Sequence, residues 1–108
     1  MKIKPVIKEE RTSKYWEILN SVEDPEIGYG IVDLGLIYNI KKSKGTIIVY
    51  MTLTSPTCPY APEIISEVEE ALENLPEIED VQVEIVWEPP WGKDKIDEDI
   101  KALLFGED

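Results

Sequence analysis

The chain has 108 residues, of which 43% are apolar and 31% charged, and these proportions indicate one folded domain with its own hydrophobic core. Its net charge is −12, from 23 acidic and 11 basic residues, which argues against binding to nucleic acid or to an anionic membrane. No stretch approaches the roughly 18 apolar residues of a membrane-spanning helix, and the basic N-terminus lacks the apolar core of a secretory signal. The single cysteine, Cys58, is typical of a reducing compartment, so we expect a cytoplasmic protein.

The first predicted elements are an arm, a helix and a loop. Residues 1–12 alternate charged and apolar side chains, which indicates an N-terminal arm or a short edge strand. A helix then starts at Thr12 or Ser13, either of which can cap it, and it ends near Glu23 because the residue before a proline disfavours helical geometry. The segment DPEIGYG that follows is predicted to be a loop. The apolar residues with helical spacing are Tyr15, Ile18, Leu19 and Val22.

Two β-like runs follow, at residues 34–41 and 46–53. The turn KSKG between them is short, so the sequence predicts an antiparallel hairpin. In the second run, alternation places one set of apolar side chains on one face, namely Ile47, Val49, Met51 and Leu53. The opposite set is also rather apolar, which indicates a sheet with one covered face and a partly used second face.

The second half of the chain predicts a helix, a strand and a short final helix. Residues 60–75 have apolar side chains at helical spacing, with glutamates on the other face and Pro76 after them. The run DVQVEIVW alternates cleanly, with Val81, Val83, Ile85 and Trp87 on one face. The final helix has Asp97 as its cap and Gly106 at its end. Its apolar stripe consists of Ile96, Ile100, Leu103 and Leu104.

The predicted order is therefore α-β-β-α-β-α. We expect an α+β fold in which helices pack on one face of a three-stranded sheet. The whole of 1–108 is predicted to be one domain, with 1–12 as an N-terminal arm and 92–108 as a C-terminal tail with a helix.

Cys58 is the residue with the most distinctive chemical setting. It lies between two prolines, in TLTSPTCPYAPEI, close to the predicted start of the 60–75 helix. The positive end of a helix dipole stabilises a thiolate, so a reactive or metal-ligating Cys58 is physically reasonable. The nearby carboxylates of Glu63 and Glu67 oppose thiolate formation. A small buried cysteine at a turn is the equally weighted structural alternative.

Cysteine catalysis fits this sequence poorly. The chain has no histidine to act as a base, and nothing marks a lysine for that role. A complete thiolate-ligated cluster needs about four cysteines, so this chain would have to share one with another chain, a partner or a small thiol.

Other polar groups surround the same region of the sequence. Asp24, Glu26 and Asp33 are three acids within ten residues, and taken alone they are better explained by turn formation or capping than by a functional role. Thr54 is one of several hydroxyl residues near Cys58, for which ordinary strand and turn chemistry is sufficient. The stiff PPW segment offers either a partner anchor or a lid on the core.

Taken together, DPEIGYGIVDLGLIYNI, TLTSPTCPYAPEI and VEIVWEPPW resemble the iron–sulfur cluster assembly domain family, in order and spacing, from about Ser13 to Trp91. This family includes SufT-like metal–sulfur cluster biosynthetic proteins, PaaD-like subunits of phenylacetate degradation, and eukaryotic cytosolic iron–sulfur targeting factors. The chain departs from the family at Thr57, where many relatives have a small or apolar residue, and at Tyr29-Gly30.

The resemblance implies a small α/β fold, a role in maturing iron–sulfur proteins, and Cys58 as the functional residue and transient metal ligand. It also implies that Asp24, Glu26 and Thr54 belong to the same motif cluster, with Asp33 as a further member. The implied cargo is a transient iron–sulfur cluster shared between chains or with a partner, and no permanent cofactor. The implied partners are iron–sulfur assembly proteins, apo-protein clients and a P-loop assembly ATPase, and a homodimer is compatible with one ligand per chain.

Three functions remain open from the sequence. The first is a non-enzymatic assembly or carrier factor in which Cys58 contacts iron. The second is an adaptor that docks apo-proteins or an assembly ATPase, with Cys58 serving only the fold. The third is an accessory subunit of a multicomponent oxygenase of the PaaD-like kind, although the chain lacks the cysteine-rich C-terminal extension expected of that branch.

Overall fold

The computed structural model describes residues 5–6, 8–25, 28–53 and 61–105. Within these ranges the helices are α1 (Lys14–Asn20), α2 (Ala61–Glu73) and α3 (Glu98–Phe105). The strands are β1 (Ile37–Ser43), β2 (Thr46–Met51) and β3 (Asp80–Ile85), in the sheet order β1-β2-β3. Short 3-10 turns lie at Lys8–Glu10 and Lys93–Lys95. The predicted element order and the α+β class are confirmed.

β1 and β2 form the predicted antiparallel hairpin. Ser43 pairs with Thr46, and the turn between them has φ values of +47° at Lys44 and +87° at Gly45. Two left-handed residues match the twist of the flanking strands, which explains the short connection. The first strand begins later than predicted, at Ile37, because residues 31–35 form successive turns that end in a hydrogen bond from the Gly35 N–H to the Val32 carbonyl oxygen.

β3 lies parallel to β2, with Thr46 opposite Asp80 and Met51 opposite Ile85. Parallel neighbours require a long crossover, and here the crossover contains α2. Both strands therefore end at the same edge of the sheet, which we call the carboxyl edge. Residues 54–60, which include Cys58, join Leu53 at this edge to Ala61 at the start of α2.

The core lies between the helices and one face of the sheet. On β2, Ile47, Val49 and Met51 are fully buried, whereas Ile48 and Tyr50 on the opposite face are only half-buried. This alternation confirms one covered face and one partly used face. In α2 the buried side chains, Ile64, Val68 and Leu72, have the predicted spacing. In α1 Leu19 is buried as predicted, but Trp16, which was not in the predicted stripe, is buried while Tyr15 and Ile18 are only half-buried.

Some details differ from the sequence prediction. Trp87 lies beyond the end of β3 and is 44% exposed, while its neighbour Val86 is buried, so the apolar face of this strand ends at Ile85. Leu103 is 70% exposed and does not join the buried stripe of α3, although Ile96 is buried and Ile100 and Leu104 pack partly against the core.

The described part of the N-terminal arm lies against β1. The Val6 N–H donates to the Tyr38 carbonyl oxygen at 2.8 Å, and the Arg11 Nε–H donates to the Val6 carbonyl oxygen at 3.2 Å. Ser13 occupies the N-cap position of α1 with extended backbone, but its side chain makes no capping hydrogen bond. None of the described helices combines the length and apolar character needed to cross a membrane.

Candidate functional site at the carboxyl edge of the sheet

Three sequence segments meet at the carboxyl edge. The Thr52 N–H donates to the Leu36 carbonyl oxygen at 2.8 Å, and the Val86 N–H donates to the Met51 carbonyl oxygen at 2.8 Å. These bonds bring the VDLGL segment, residues 52–53 and the VEIVW segment together directly before residues 54–60. Ligand sites in sheets with parallel strands commonly lie outside the carboxyl ends of those strands, so the position of the Cys58 segment agrees with a functional role.

A buried tyrosine joins this edge to the proline segment. The Tyr38 hydroxyl donates to the Pro89 carbonyl oxygen at 2.7 Å, and Tyr38 is fully buried. Burial raises the pKa of Tyr38, while the neighbouring Thr52 hydroxyl acts in the opposite direction. Residues 86–91 are therefore fastened to β1 at the start of the Cys58 segment.

Thr52 is a buried polar residue whose hydroxyl has no hydrogen-bond partner among the described residues. Its side chain is fully buried, and its hydroxyl meets no described residue at the distance and angle of a hydrogen bond, although it lies near enough to the Tyr38 hydroxyl to lower the pKa of that group. Leaving a buried hydroxyl unpaired costs folding free energy, so such a group in a native structure needs an explanation.

The VDLG segment is fastened to the C-terminal part of the chain. The Trp91 indole N–H donates to the Leu34 carbonyl oxygen at 2.8 Å, and the Asp97 N–H donates to the Asp33 carbonyl oxygen at 2.7 Å. Trp91 is thus a lid on this edge, which was one of the two predicted roles of PPW. The VDLG turn passes so close to Lys95 that only glycine fits at position 35. A Cβ at this position would lie 2.1 Å from the Lys95 carbonyl oxygen.

Asp33 has a structural environment. Its carboxylate accepts a hydrogen bond from Asn20 Nδ2 at 3.1 Å, and its backbone N–H donates to Asn20 Oδ1 at 2.9 Å. This reciprocal pair fixes the end of α1 to the VDLG turn. Asp33 also lines a cavity of about 230 Å³ together with Arg11, Trp16, Glu17, Asn20, Val32 and Asp97.

Arg11, the only arginine in the chain, lies at that cavity with its guanidinium 5.4 Å from the centre of the Trp16 ring. Burial lowers the pKa of Arg11, and the carboxylates of Asp97 and Asp33 raise it. A cation held between an aromatic face and two carboxylates keeps its charge, so the cavity has both signs of charge at its wall. Neither Arg11 nor Asn20 was predicted from the sequence, although the presence of a single arginine was a usable signal.

Asp24 is 3% exposed and lies in the loop between α1 and β1. Its N–H donates to the Tyr29 carbonyl oxygen at 3.1 Å, and its carbonyl oxygen accepts from the Gly28 N–H at 2.7 Å. Gly28 has a φ of +83°, which this tight turn requires. Asp24 therefore helps to form a turn, as one reading of the sequence predicted, and its burial sets it apart from an ordinary surface turn residue.

The predicted site residues are only partly visible. Cys58, Thr54 and Glu26 lie outside the described residues, so their proposed contacts stay predictions. An isolated β-bridge pairs Glu23 with Gly30. Asp24 directly follows Glu23 in the chain, and Asp33 follows Gly30 by three residues. In the described ranges no group of three acidic, histidine or cysteine side chains is placed to hold a metal ion.

The start of α2 defines the setting of the Cys58 segment more closely. The first residue of this helix is Ala61, and Pro62 follows it, so the missing N–H of Pro62 falls in the first turn, where a donor has no partner within the helix. Glu63 and Glu67 are exposed and, with Pro62 and Ser66, line an open surface depression of about 420 Å³. Their negative charge reduces the positive potential at the start of the helix, and their predicted effect against a Cys58 thiolate stays a prediction.

A family model described as "Iron-sulfur cluster assembly protein" matches residues 14–85. The chain belongs to this family. The matched region contains α1, β1, β2, α2 and β3, and it ends at the last residue of β3.

Two bacterial members of the family are named Fe-S protein maturation auxiliary factors. YitW of Bacillus subtilis is 48% identical over 87 residues, which cover 80% of this chain and 85% of YitW. SufT of Staphylococcus aureus is 48% identical over 84 residues, which cover 77% of this chain and 96% of SufT.

Two further similarities extend this comparison. An iron-sulfur cluster carrier protein of Synechocystis is 34% identical over 76 residues, which are 70% of this chain but only 22% of the carrier. The crystal structure of a domain of unknown function from Bacillus anthracis superposes with a TM-score of 0.79 at 39% identity, covering 84% of this chain and 88% of that one. The fold and the family therefore agree, and the membership predicted from the motifs is confirmed.

Proposed function

We propose that this protein is an iron–sulfur maturation factor that contacts iron or a cluster transiently through Cys58. Its family membership and the names of its relatives support a role in iron–sulfur maturation. The observation that carries the assignment to Cys58 is topological, because the chain's only thiol lies in the segment that leaves the carboxyl edge of two parallel strands.

The chemistry suits transfer rather than storage. One thiolate per chain cannot complete the coordination of an iron–sulfur cluster, so the remaining ligands come from a second chain, a client or a small thiol. Incomplete coordination leaves positions at which a client's own ligands can replace those of the carrier. The cluster is therefore cargo, and the protein has no catalytic role of its own in this proposal.

The neighbouring residues have supporting roles. Asp24, Glu26 and Thr54 are proposed to shape the approach to Cys58, and Asp33 to fix the VDLG turn beside it through Asn20. The proposed partners are iron–sulfur assembly proteins, an assembly ATPase of the P-loop class and apo-protein clients. The proposed compartment is the cytoplasm, where a single free cysteine stays reduced.

Anaerobic reconstitution with iron and sulfide tests this function. We expect bound iron in the wild type and its loss in Cys58→Ser, with dimer formation if the cluster bridges two chains. A matched variant, Thr57→Cys in the Cys58→Ser background, keeps one thiol in the same segment but moves it by one residue. If this variant binds a cluster as well as the wild type, the position of the thiol does not matter, and the proposal of a specific site at Cys58 is contradicted.

The second measurement is complementation in cells whose iron–sulfur enzymes depend on this protein. Cys58→Ala should fold normally, as judged by its unfolding midpoint, but fail to restore the activity of iron–sulfur enzymes. Full restoration by this variant would refute the carrier role and leave the adaptor, in which Cys58 serves only the fold.

A further inference from the structure

The outer edge of β3 has backbone groups with which no described residue pairs. The N–H groups of Asp80 and Val86 donate towards the hairpin of β1 and β2, so the even-numbered residues between them also direct their backbone groups inward. Backbone groups alternate along a strand, and the odd-numbered residues therefore direct N–H and C=O groups outward. In the ranges that the structure describes, no group pairs with these outward positions, which belong to Val81, Val83 and Ile85.

The two edges of the sheet are treated differently. At the β1 edge, the N-terminal arm donates a hydrogen bond from Val6 to Tyr38, and Arg11 in turn fastens the arm. At the β3 edge, α2 covers the inner face, where Val81, Val83 and Ile85 are half-buried. It does not cover the hydrogen-bonding edge, and no other described residue pairs there. An unpaired edge next to a covered face is a template for an added strand.

The chemistry of this edge is acidic. Residues 78–91 contain no lysine or arginine, and four exposed carboxylates lie along β3 and its ends. We call these four residues the acidic edge: Glu79, Asp80, Glu84 and Glu88. Beyond the end of the strand, the indole of Trp87 is 44% exposed. Exposed tryptophan next to charged groups is typical of a surface that anchors a partner.

We propose that the β3 edge binds an extended, lysine- or arginine-bearing segment of a protein partner as a fourth strand of the sheet. The partner's backbone would pair with Val81, Val83 and Ile85, and its cations would face the carboxylates of the acidic edge. Because β3 ends at the carboxyl edge, a segment docked on it reaches the region from which the Cys58 segment starts. That this partner is an iron–sulfur client rests on the proposed function, whereas strand docking does not.

A second copy of the chain is a poorer occupant of the same edge. Pairing of two β3 strands would place Asp80 and Glu84 of both chains on one face of the joined sheet, where cross-strand neighbours of like charge repel. An antiparallel pair of this kind would also put the two carboxyl edges at opposite ends, which separates the two Cys58 segments. A cationic extended segment meets neither obstacle.

Peptide binding with residue-level readout tests the docking. The probe is a synthetic peptide of alternating lysine and valine, slightly longer than β3, titrated against the full chain with binding followed by fluorescence anisotropy. Hydrogen exchange should slow at the amides of Val81, Val83 and Ile85. Two control peptides should bind at least about fivefold more weakly. One has glutamate in place of lysine, and the other is N-methylated on the edge that pairs with β3. About fivefold is the change in affinity expected for one lost hydrogen bond, and it is the minimum expected for each peptide.

Two variants separate backbone pairing from packing. Val83→Pro removes an outward N–H, which an edge strand tolerates, and Val83→Ala removes a similar part of the side chain but keeps the N–H. We expect Val83→Pro to bind the lysine peptide at least about fivefold more weakly than Val83→Ala. Comparable unfolding midpoints of the two variants would show that the difference is not a folding defect.

Several results would overturn the inference. These are an absence of amide protection at Val81, Val83 and Ile85 with the lysine peptide at millimolar concentration, equal binding by Val83→Pro and Val83→Ala, and concentration-dependent dimerisation through this edge. The peptide assay needs neither iron nor Cys58. Loss of docking with normal cluster binding therefore refutes this inference alone, and docking with no effect of Cys58 variants on maturation refutes the proposed function alone.

Discussion

At the scale of single residues, Thr52 is the most informative side chain. Its hydroxyl is fully buried beside Tyr38 but has no good hydrogen-bond partner among the described residues. A residue whose buried polar group is unpaired is a candidate for a role other than stability, because replacing it by an apolar group of the same shape removes a penalty.

We therefore predict that Thr52→Val leaves the free energy of unfolding unchanged or raises it by up to about 1 kcal/mol. If the hydroxyl serves the adjacent Cys58 segment, the same variant should lower iron binding in reconstitution. Urea denaturation and bound iron per chain are the two measurements. A loss of stability of more than about 1 kcal/mol would mean that the hydroxyl is paired in solution.

Gly35 is the residue at which both backbone conformation and close packing require glycine. It has a φ of +76°, and a Cβ there would lie 2.1 Å from the Lys95 carbonyl oxygen. Gly28 has a similar φ of +83°, but apart from its chain neighbours no described residue has an atom within 4 Å of the position of its Cβ. Both glycines thus have a positive φ, and they differ in the room available for a Cβ atom.

Gly28→Ala should cost about 1 kcal/mol, the price of a left-handed conformation for alanine. Gly35→Ala should cost at least about 2 kcal/mol more, because the backbone around Lys95 must also move. Thermal and urea unfolding of the two variants measure the difference. Equal losses would show that the VDLG turn does not pack against the Lys95 segment as described.

At the scale of elements, α1 is tied to the segment after α2 by one carboxylate. Lys14 forms an ion pair with Glu77, and the Tyr15 hydroxyl donates to Glu77 Oε2 at 3.2 Å. The hydrogen bond from Lys14 is the largest cause that lowers the pKa of Glu77. A carboxyl whose pKa is lower in the folded state adds stability above its unfolded pKa and loses it as the pH falls through the folded pKa.

Glu77→Gln should therefore lower the urea midpoint at pH 7, and its difference from the wild type should shrink as the pH falls to about 3, below the unfolded glutamate pKa of about 4.3. The matched control is Glu70→Gln, which removes a carboxylate from the exposed face of α2 outside this contact. A difference from the wild type that is the same at both pH values would contradict the ion pair.

The sequence predicted the elements well where a single periodicity decided them. The alternation in TIIVYM and the helical spacing of Ile64, Val68 and Leu72 both correspond to buried faces. It did not predict that β3 runs parallel to β2, or that Tyr38 bonds to Pro89 across 51 positions of the chain. Those contacts depend on tertiary approach, for which local pattern contains no signal.

For the candidate site, the family and the key residue could be predicted from the sequence, but the contacts between residues could not. The motifs correctly indicated the family, and the chain itself singles out Cys58 as the only thiol. Asp33 was selected by its motif, but its reciprocal bonds with Asn20 could not be predicted because they join the end of a helix to a turn thirteen positions later.

At the scale of the whole molecule, a net charge of −12 on 108 residues disfavours the compact state through self-repulsion. Salt reduces the Debye length from about 30 Å at 0.01 M to about 8 Å at 0.15 M, so it screens this repulsion. We predict that the melting temperature rises by about 5 °C over this range, which corresponds to about 1 kcal/mol for a domain of this size.

A variant with four glutamates of α2 changed to glutamine has a net charge of −8, from −12 + 4, and should show a smaller rise in differential scanning calorimetry. The four positions, all exposed, are Glu63, Glu67, Glu70 and Glu73. A melting temperature that falls with salt, or an equal rise in both proteins, would show that this repulsion does not limit stability.

The central position of β2 also sets an order for folding. Its partner β1 is joined to it by a two-residue turn, whereas β3 is reached only after the 54–60 segment and α2, so loop-closure entropy favours the hairpin first. Until β3 arrives, β2 exposes one edge of TIIVYM, an uncharged segment of high β-propensity. Charged residues that follow such a strand in the sequence oppose its aggregation, so we expect the glutamates of α2 to have this effect while the chain folds.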